Sequence, residues 1–298
     1  MKWSGKLNNF LMRSRKMALS LNGNVVSEDA GKIHAQSDGL YHGAGCFETF
    51  KSYSGTFLRF DEHLNRLNRG IEYLTHSHAE PLNSSVIREE ISDLIQSNNL
   101  SGSDAKIRIQ VSIAGTNGYS VREPVQLNRV ITADVYNRSA SPRNLVTSSV
   151  TVVPNTSVPS DLKLSNMLHY RQAAIEAKAR GADDALMLTT DGYVAETSIA
   201  NLFWVTGDTV HTPSIECDIL PGVMRNIVIN LLEEMGLKTE QGKYQPDSIL
   251  DSDFIWCTNS LMECVPVRKI DDLDFDSKSG LFTELSRELK NYKRNALQ

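Results

Sequence analysis

The sequence predicts a mixed α/β (α+β) chain in two parts, and three observations carry that prediction. Short apolar alternations recur in pairs around turn dipeptides such as Asn22-Gly23, Ser54-Gly55, Asp191-Gly192 and Gly207-Asp208, the pattern of β-hairpins. Longer segments between them carry apolar residues at helical spacing. A short polar stretch with Pro142, residues 138–145, separates two such groups and is read as a linker between an N-terminal part, 17–137, and a C-terminal part, 146–298.

Taken in order, residues 20–26 predict a hairpin about Asn22-Gly23, and residues 46–53 and 57–60 a second one about Ser54-Gly55. Asp61 is a candidate cap for a helix whose Leu64, Leu67, Ile71 and Leu74 share one face. Arg66 falls opposite that stripe, where spacing alone makes it a solvated residue. Ser84 or Ser85 opens a second helix carrying Val86, Ile87, Ile91, Leu94 and Ile95. Segments 106–113 and 129–136 alternate as strands. Beyond the linker come a strand at 149–153 and a helix at about 165–180 that stops at Gly181. Hairpins at 185–188 with 193–196, and 201–205 with 209–212, precede a helix at 223–235 that stops at Gly236. Strands 254–257 and 265–270 and a helix at 281–292 complete the chain.

Composition narrows the function classes. The chain has 298 residues, with 31 Lys+Arg against 36 Asp+Glu, a formal charge of −5, so it lacks the basic footprint of a nucleic-acid-binding protein. No apolar run reaches membrane-spanning length. Cys46, Cys217, Cys257 and Cys264 have no metal-ligand spacing and read as buried, reduced thiols of a cytoplasmic protein, with no metal site expected. Residues 1–16 hold Lys2, Lys6, Arg13, Arg15 and Lys16 but no acid, and read as a flexible extension.

Four local features could carry chemistry. Lys163 stands between Leu162 and Leu164 ahead of a helix; a desolvated lysine is a nucleophilic amine able to form a Schiff base, although an isolated lysine is ordinarily a solvated surface residue. Glu196 ends an apolar strand and could hold a protonated pyridine nitrogen, its ordinary alternative being a turn cap. Leu220-Pro221-Gly222 leads into Val223, Met224 and Arg225 at a helix start, where free N–H groups favour a phosphate. Thr258-Asn259-Ser260 follows an apolar strand and could complete a phosphate cup, or form a polar turn.

Together with further motifs, these four resemble the class IV aminotransferases, the pyridoxal 5'-phosphate (PLP) family that includes branched-chain aminotransferases, D-amino acid aminotransferases and 4-amino-4-deoxychorismate lyases. The resemblance spans about 17–272. It is carried by Asp38-Gly39-Leu40-Tyr41-His42-Gly43-Ala44-Gly45-Cys46-Phe47-Glu48-Thr49, Glu62-His63-Leu64-Asn65-Arg66-Leu67 and Lys163-x-x-Asn166. The run Glu196 to Phe203, Leu220-Pro221-Gly222 with Arg225, and Thr258-x-Ser260 leading to Pro266-Val267 complete it. The resemblance implies a small N-terminal α/β domain, a larger C-terminal PLP-binding domain with a barrel-like sheet, and a homodimer. It implies that Lys163 binds PLP covalently and moves the substrate's α-proton, that Glu196 pairs with the ring nitrogen, and that Leu220 lies against the ring. Arg66, the N–H groups of Val223 and Met224, and the Ser260 hydroxyl would hold the phosphate.

The implied reaction transfers an amino group between a small amino acid and a 2-oxo acid; the alternative is the lyase reaction that releases 4-aminobenzoate and pyruvate. Phe47 and Arg108 are the candidate substrate residues. Several positions depart from the family pattern. No arginine follows Asp38; Ala114 stands where many members carry a carboxylate-binding arginine before the glycine; and Met167 and Leu168 replace a tyrosine common in branched-chain enzymes. Arg108 is a substitute only if its strand register points it inward. Ala200-Asn201-Leu202-Phe203-Trp204 and Asn259-Ser260-Leu261-Met262 are lyase-like.

Overall fold

The computed structural model describes residues 17–116, 118–120, 123–137 and 141–297. The basic extension at 1–16 lies outside them, as do residues 138–140 of the expected linker. The N-terminal hairpin joins β1 (Ala18–Leu21) to β2 (Asn24–Ser27), and its turn residues Asn22 and Gly23 take φ of +53° and +88°. Two successive positive φ values match the twist of the flanking strands, which is why Asn-Gly stands there. The short helix α1 (Asp38–Tyr41) precedes β3 (Gly45–Tyr53) and the two-residue β4 (Thr56–Phe57). Then follow α2 (Phe60–Thr75), α3 (Ser84–Ser97), β5 (Ala105–Ile113) and β6 (Leu127–Val135).

These strands form an antiparallel sheet in the order β2-β1-β6-β5-β3-β4. Strand β5 shows how the pattern positions the site. Ala105, Ile107, Ile109 and Val111 are buried with Leu64, Leu67 and Ile71 of α2 and Ile87, Ile91 and Leu94 of α3. The period of two therefore turns Lys106, Arg108, Gln110 and Ser112 to the opposite, half-buried face.

The second sheet contains β7 (Arg143–Thr147), β8 (Asp184–Leu188), β9 (Val194–Thr197), β10 (Asn201–Thr206), β11 (Thr209–Pro213), β12 (Lys238–Gly242), β13 (Phe254–Asn259), β14 (Glu263–Ile270) and β15 (Leu273–Asp274). Its path is β12-β11-β10-β13-β14-β7-β8-β9, with β15 on β14. The sheet is curled, because its end strand β9 returns to touch β10 and β11. Alternation then sorts the side chains. Leu202, Trp204, Ile255 and Cys257 fill the inside. Phe203, Val205, Phe254 and Trp256 point outward beneath α5 (Val223–Glu234) and α7 (Gly280–Ala296). Helix α4 (Leu168–Ala179) covers β7 and β8 with Ala173 and Ala177, and α6 (Asp247–Leu250) precedes β13.

Several sequence expectations shift. Helix α2 starts at Phe60 behind a left-handed Arg59, and Asp61, expected to cap it, instead accepts from Ser84 Oγ at 2.6 Å. Asn83, not Ser84 or Ser85, caps α3, accepting from the N–H groups of Ser85 and Val86. The strand expected at 149–153 forms earlier, as β7, which starts inside the stretch 138–145 read as linker. Residues 148–152 only touch β8, through Ser148 N–H to Leu186 O and Val152 N–H to Leu188 O. Helix α4 begins at Leu168 rather than 165, because residues 163–165 pair with β3. Strand β12, of sequence Lys-Thr-Glu-Gln-Gly, carries no apolar alternation and escaped the pattern. The four cysteines are buried and free. No helix is long and apolar enough to cross a membrane.

A buried charge cluster joins the two sheets. Lys51 of β3 donates to Glu263 of β14 at 2.9 Å, Lys293 of α7 donates to it at 2.7 Å, and Tyr53 OH at 3.1 Å. Burial alone would raise the Glu263 pKa; the two lysines outweigh it and hold the carboxyl at about 2, below its ordinary 4.5. A depressed carboxyl pKa stabilises the fold above about pH 4.5 and loses that contribution as the pH falls towards 2. Glu263→Gln should therefore cost about 3 kcal/mol near neutral pH, leaving Lys51 buried without its closest anion. The loss should shrink on acidification; guanidinium unfolding at several pH values reads both.

Candidate active site

Lys163 is set by a strand pairing between distant segments. The Phe47 N–H donates to Lys163 O at 2.9 Å, the Ser165 N–H donates to Gly45 O at 2.8 Å, and Cys46 pairs with Leu164 as an isolated antiparallel bridge. This rung clips residues 163–165 to the edge of β3 and turns the Lys163 side chain into a cavity of about 420 Å³. Its amine forms no ion pair or hydrogen bond among the described residues. Burial, and next the Arg66 charge, push it down to about 8, against the pull of Glu48 and Glu196.

At one end of the cavity stands Glu196, on β9. Oε1 accepts from Tyr170 OH at 2.5 Å and from the Leu220 N–H at 3.2 Å, and Oε2 accepts from Asn201 Nδ2 at 2.9 Å. Burial raises its pKa to about 7, and the Tyr170 hydroxyl, the Leu220 N–H and the charges of Lys163 and Arg225 oppose the rise. A carboxylate offers about four acceptor positions; three are filled, which leaves one on Oε2. Asn201 also donates to Leu220 O at 2.8 Å, so one amide locks both the acid and the Leu220 loop.

The start of α5 lines the same cavity; its first N–H groups lack intrahelical partners, and no side chain caps them. Ser260 lines the same region. Arg66, expected from helical spacing to be solvated, is buried at 8% exposure. The cause is Glu48 on β3, which faces α2: Arg66 Nε donates to Glu48 Oε1 at 2.6 Å and Nη2 to Oε2 at 3.0 Å, while Nη1 donates to Pro221 O at 2.8 Å. His63 Nδ1 lies 2.7 Å from Glu48 Oε2. Arg66 and then His63 hold the buried Glu48 at about 2. Of the five guanidinium N–H donors, three are used and two remain.

Arg108 faces the cavity, so its register is the inward one. Its guanidinium lies 3.8 Å from the Phe47 ring centroid, and the Lys163 amine lies 5.1 Å from the same centroid. The fold thus brings all the sequence candidates to one cavity: Phe47, Arg66 and Arg108 from the first sheet and its helix, and Lys163, Glu196, Leu220, Val223, Met224 and Ser260 from the second half. Sequence reasoning missed Tyr170 and Gln110, the hydrogen bonds that Asn201 makes from within its quoted run, and the support under Arg66. Glu48 and His63 did stand in quoted motifs, but nothing local pairs them with Arg66. Among the described residues no His/Cys/Asp/Glu cluster could hold a metal.

A nucleophilic amine, an acid with one open acceptor and an uncapped helix start, converging on one cavity, describe a phosphorylated pyridine-aldehyde site. The model of the amino-transferase class IV family matches residues 45–270. The chain belongs to the class IV aminotransferase family. Aminodeoxychorismate lyase of Bacillus subtilis is 29% identical over 287 residues, covering 91% of this chain and 94% of that protein. Branched-chain-amino-acid aminotransferase of Escherichia coli K12 is 26% identical over 268 residues, 85% and 84% of the two chains. The branched-chain aminotransferase of Thermobaculum terrenum, solved in its PLP form, shares the fold with a TM-score of 0.82 at 21% identity, covering 93% of this chain and 94% of that one.

PLP, the cofactor of this class IV family, fits the residues present. The open position on Glu196 suits a ring N–H, and the free donors of Arg66 and α5 suit a phosphate. The bare Cα of Gly222 completes the cradle: a Cβ there would meet Asn201 Oδ1 at 2.2 Å. Gly222→Ala should therefore displace Asn201 from Glu196 and weaken PLP binding about tenfold or more, one buried charge-assisted hydrogen bond being worth that much. Equilibrium dialysis or absorbance titration with PLP measures it.

Proposed function

We propose that this protein is a PLP-dependent aminotransferase moving an amino group between a small amino acid and a 2-oxo acid. The observation that supports it most is the placement of Arg108 and Lys163 along one aromatic ring, Phe47. A substrate carboxylate held by Arg108 keeps the rest of the molecule on the Lys163 side of the cavity. Both half-reactions use substrates with that carboxylate, so one cation serves donor and acceptor alike.

When bound, PLP supplies an electron sink for the charge left at the substrate α-carbon. The chain's own groups do the remaining work. Lys163, with its pKa lowered towards neutrality, is unprotonated often enough to accept the α-proton and return it. Glu196 keeps a proton on the ring nitrogen, and Tyr170, Asn201 and the Leu220 N–H hold Glu196 in place for that task. Arg66 and the α5 N-terminus bind the phosphate, and Leu220 and Phe47 keep water from the reacting atoms. The exposed apolar residues Leu40, Tyr41, Leu168 and Ile199 suit a homodimer, as the family resemblance implies.

A second reading, 4-amino-4-deoxychorismate lyase, is favoured by the near full-length match to the Bacillus subtilis lyase. It would use Lys163 and Glu196 in the same roles. One experiment separates the two. Holoenzyme mixed with single amino acids and no oxo acid should lose its visible absorbance and release one equivalent of 2-oxo acid per site. If no amino acid does this while 4-amino-4-deoxychorismate yields pyruvate, the lyase reading replaces the first. Lys163→Ala should abolish either activity, and a fully active monomer in sedimentation would remove the dimer.

A further inference from the structure

We propose that Gln110 is a positioning residue that ties the orientation of Arg108 to the segment carrying Lys163; this rests on the reading that Arg108 holds the substrate carboxylate. Gln110 sits two residues beyond Arg108 on β5, on the same face. Its Oε1 accepts from Arg108 Nη2 at 2.8 Å, and its Nε2 donates to Ser165 Oγ at 2.8 Å and approaches Cys46 O at 3.3 Å. Ser165 belongs to the rung that fixes Lys163, through its N–H to Gly45 O. A single amide therefore touches the anion-binding side chain at one end and the lysine segment at the other.

Two features show that this contact is built rather than incidental. The amide crosses β3 at Gly45, where a Cβ would lie 2.8 Å from Ser165 Oγ, 2.8 Å from Val111 O and 3.2 Å from Gln110 Nε2, so only a bare Cα lets the connection close. Arg108 has no ion pair among the described residues. Apart from its stacking on Phe47, Gln110 is its one hydrogen-bonding side-chain partner there. A long flexible side chain left to itself loses much rotamer entropy when it binds an anion. A neutral acceptor removes that freedom in advance without cancelling the charge. A carboxylate at 110 would instead compete with the substrate for the guanidinium.

The test uses two small aminooxy probes whose nitrogen would bond to the cofactor carbon joined to Lys163 and displace the free Lys163 amine, so it needs no knowledge of the natural substrate. Aminooxyacetate carries a carboxylate and O-methylhydroxylamine does not; each reaction with holoenzyme is followed by the change in cofactor absorbance. Gln110→Met should slow the aminooxyacetate reaction about tenfold and leave the O-methylhydroxylamine reaction within about twofold, roughly the worth of one charge-assisted hydrogen bond. Gln110→Glu should slow aminooxyacetate at least as much, although it fills the same space. Adding Gln110→Met to Arg108→Ala should cost nothing further. Ser165→Ala, which cuts only the far link, should give a smaller loss confined to aminooxyacetate, and it carries the test if the Gln110 variants do not fold. Equal slowing of both probes, or independent multiplication of the Arg108 and Gln110 effects, overturns the proposal. If Arg108→Ala itself spares aminooxyacetate, the carboxylate role of Arg108 fails and this inference with it. If Arg108→Ala slows that probe and Gln110→Met does not, only the inference fails.

Discussion

The site depends on one short piece of β-pairing, the rung between residues 163–165 and the start of β3. It is the place where chain belonging to the second half returns to the edge of the first sheet. Leu162 and Leu164, flanking the lysine, are buried in the first core with Ile107 and Val111. Burying those two leucines on one side leaves Lys163, between them, facing the other way. Backbone hydrogen bonds then define its position more tightly than side-chain packing would, since both ladder directions are used. Without that rung the amine has no reason to face Glu196 or Phe47, and the remaining site residues surround a cavity with no nucleophile.

Electrostatics follow from that placement. Burial favours the neutral form of every ionisable group in the cavity, so it lowers Lys163 and raises Glu196, bringing the two towards each other at about 8 and about 7. Glu48 escapes this tendency, because Arg66 and His63 touch both of its oxygens. One carboxylate thus stays ionised and anchors the phosphate-side arginine. The other is held near its turning point, where a proton on the ring nitrogen can complete its hydrogen bonds. The difference is one of partners: a guanidinium and an imidazole against a phenol, an amide and a backbone N–H.

Much of the fold was legible in sequence, and the reasons are local. Hairpins announced by Asn22-Gly23 and Asp191-Gly192 and helices with clear stripes form where expected, because turn chemistry and periodicity act over a few residues. Strand β12 was invisible, since its place is given by parallel pairing to β11 and not by any alternation of its own. The stretch read as linker runs into a strand for the same reason: Arg143–Thr147 pairs with β14 on one side and β8 on the other. Lys163, Glu196 and the Leu220-Pro221-Gly222 turn were found through ordered motifs. The hydrogen bonds that give them chemistry were not. Arg66 meets Glu48 across 18 positions, Tyr170 meets Glu196 across 26, and Gln110 meets Ser165 across 55. Such partners share no spacing rule, so only the folded chain reveals them.

The two sheets divide the labour of lining the cavity. Glu196, the α5 N-terminus and Ser260 come from the second half and converge where a ring and a phosphate would be held. Phe47 and Arg108 come from the first sheet and face the space a substrate would enter, with Gln110 behind Arg108 on the same strand. The cofactor side can thus stay rigid while the opposite side of the cavity fills and empties, provided the sheets keep their distance. Two connections hold that distance: the rung at Lys163 and the buried Lys51–Glu263–Lys293 cluster. Arg66 adds a third from α2, reaching across to Pro221 at the threshold of α5. A chain that is acidic overall thus gathers Lys163, Arg66 and Arg108 on the cavity along this seam, where a positive lining favours anionic ligands.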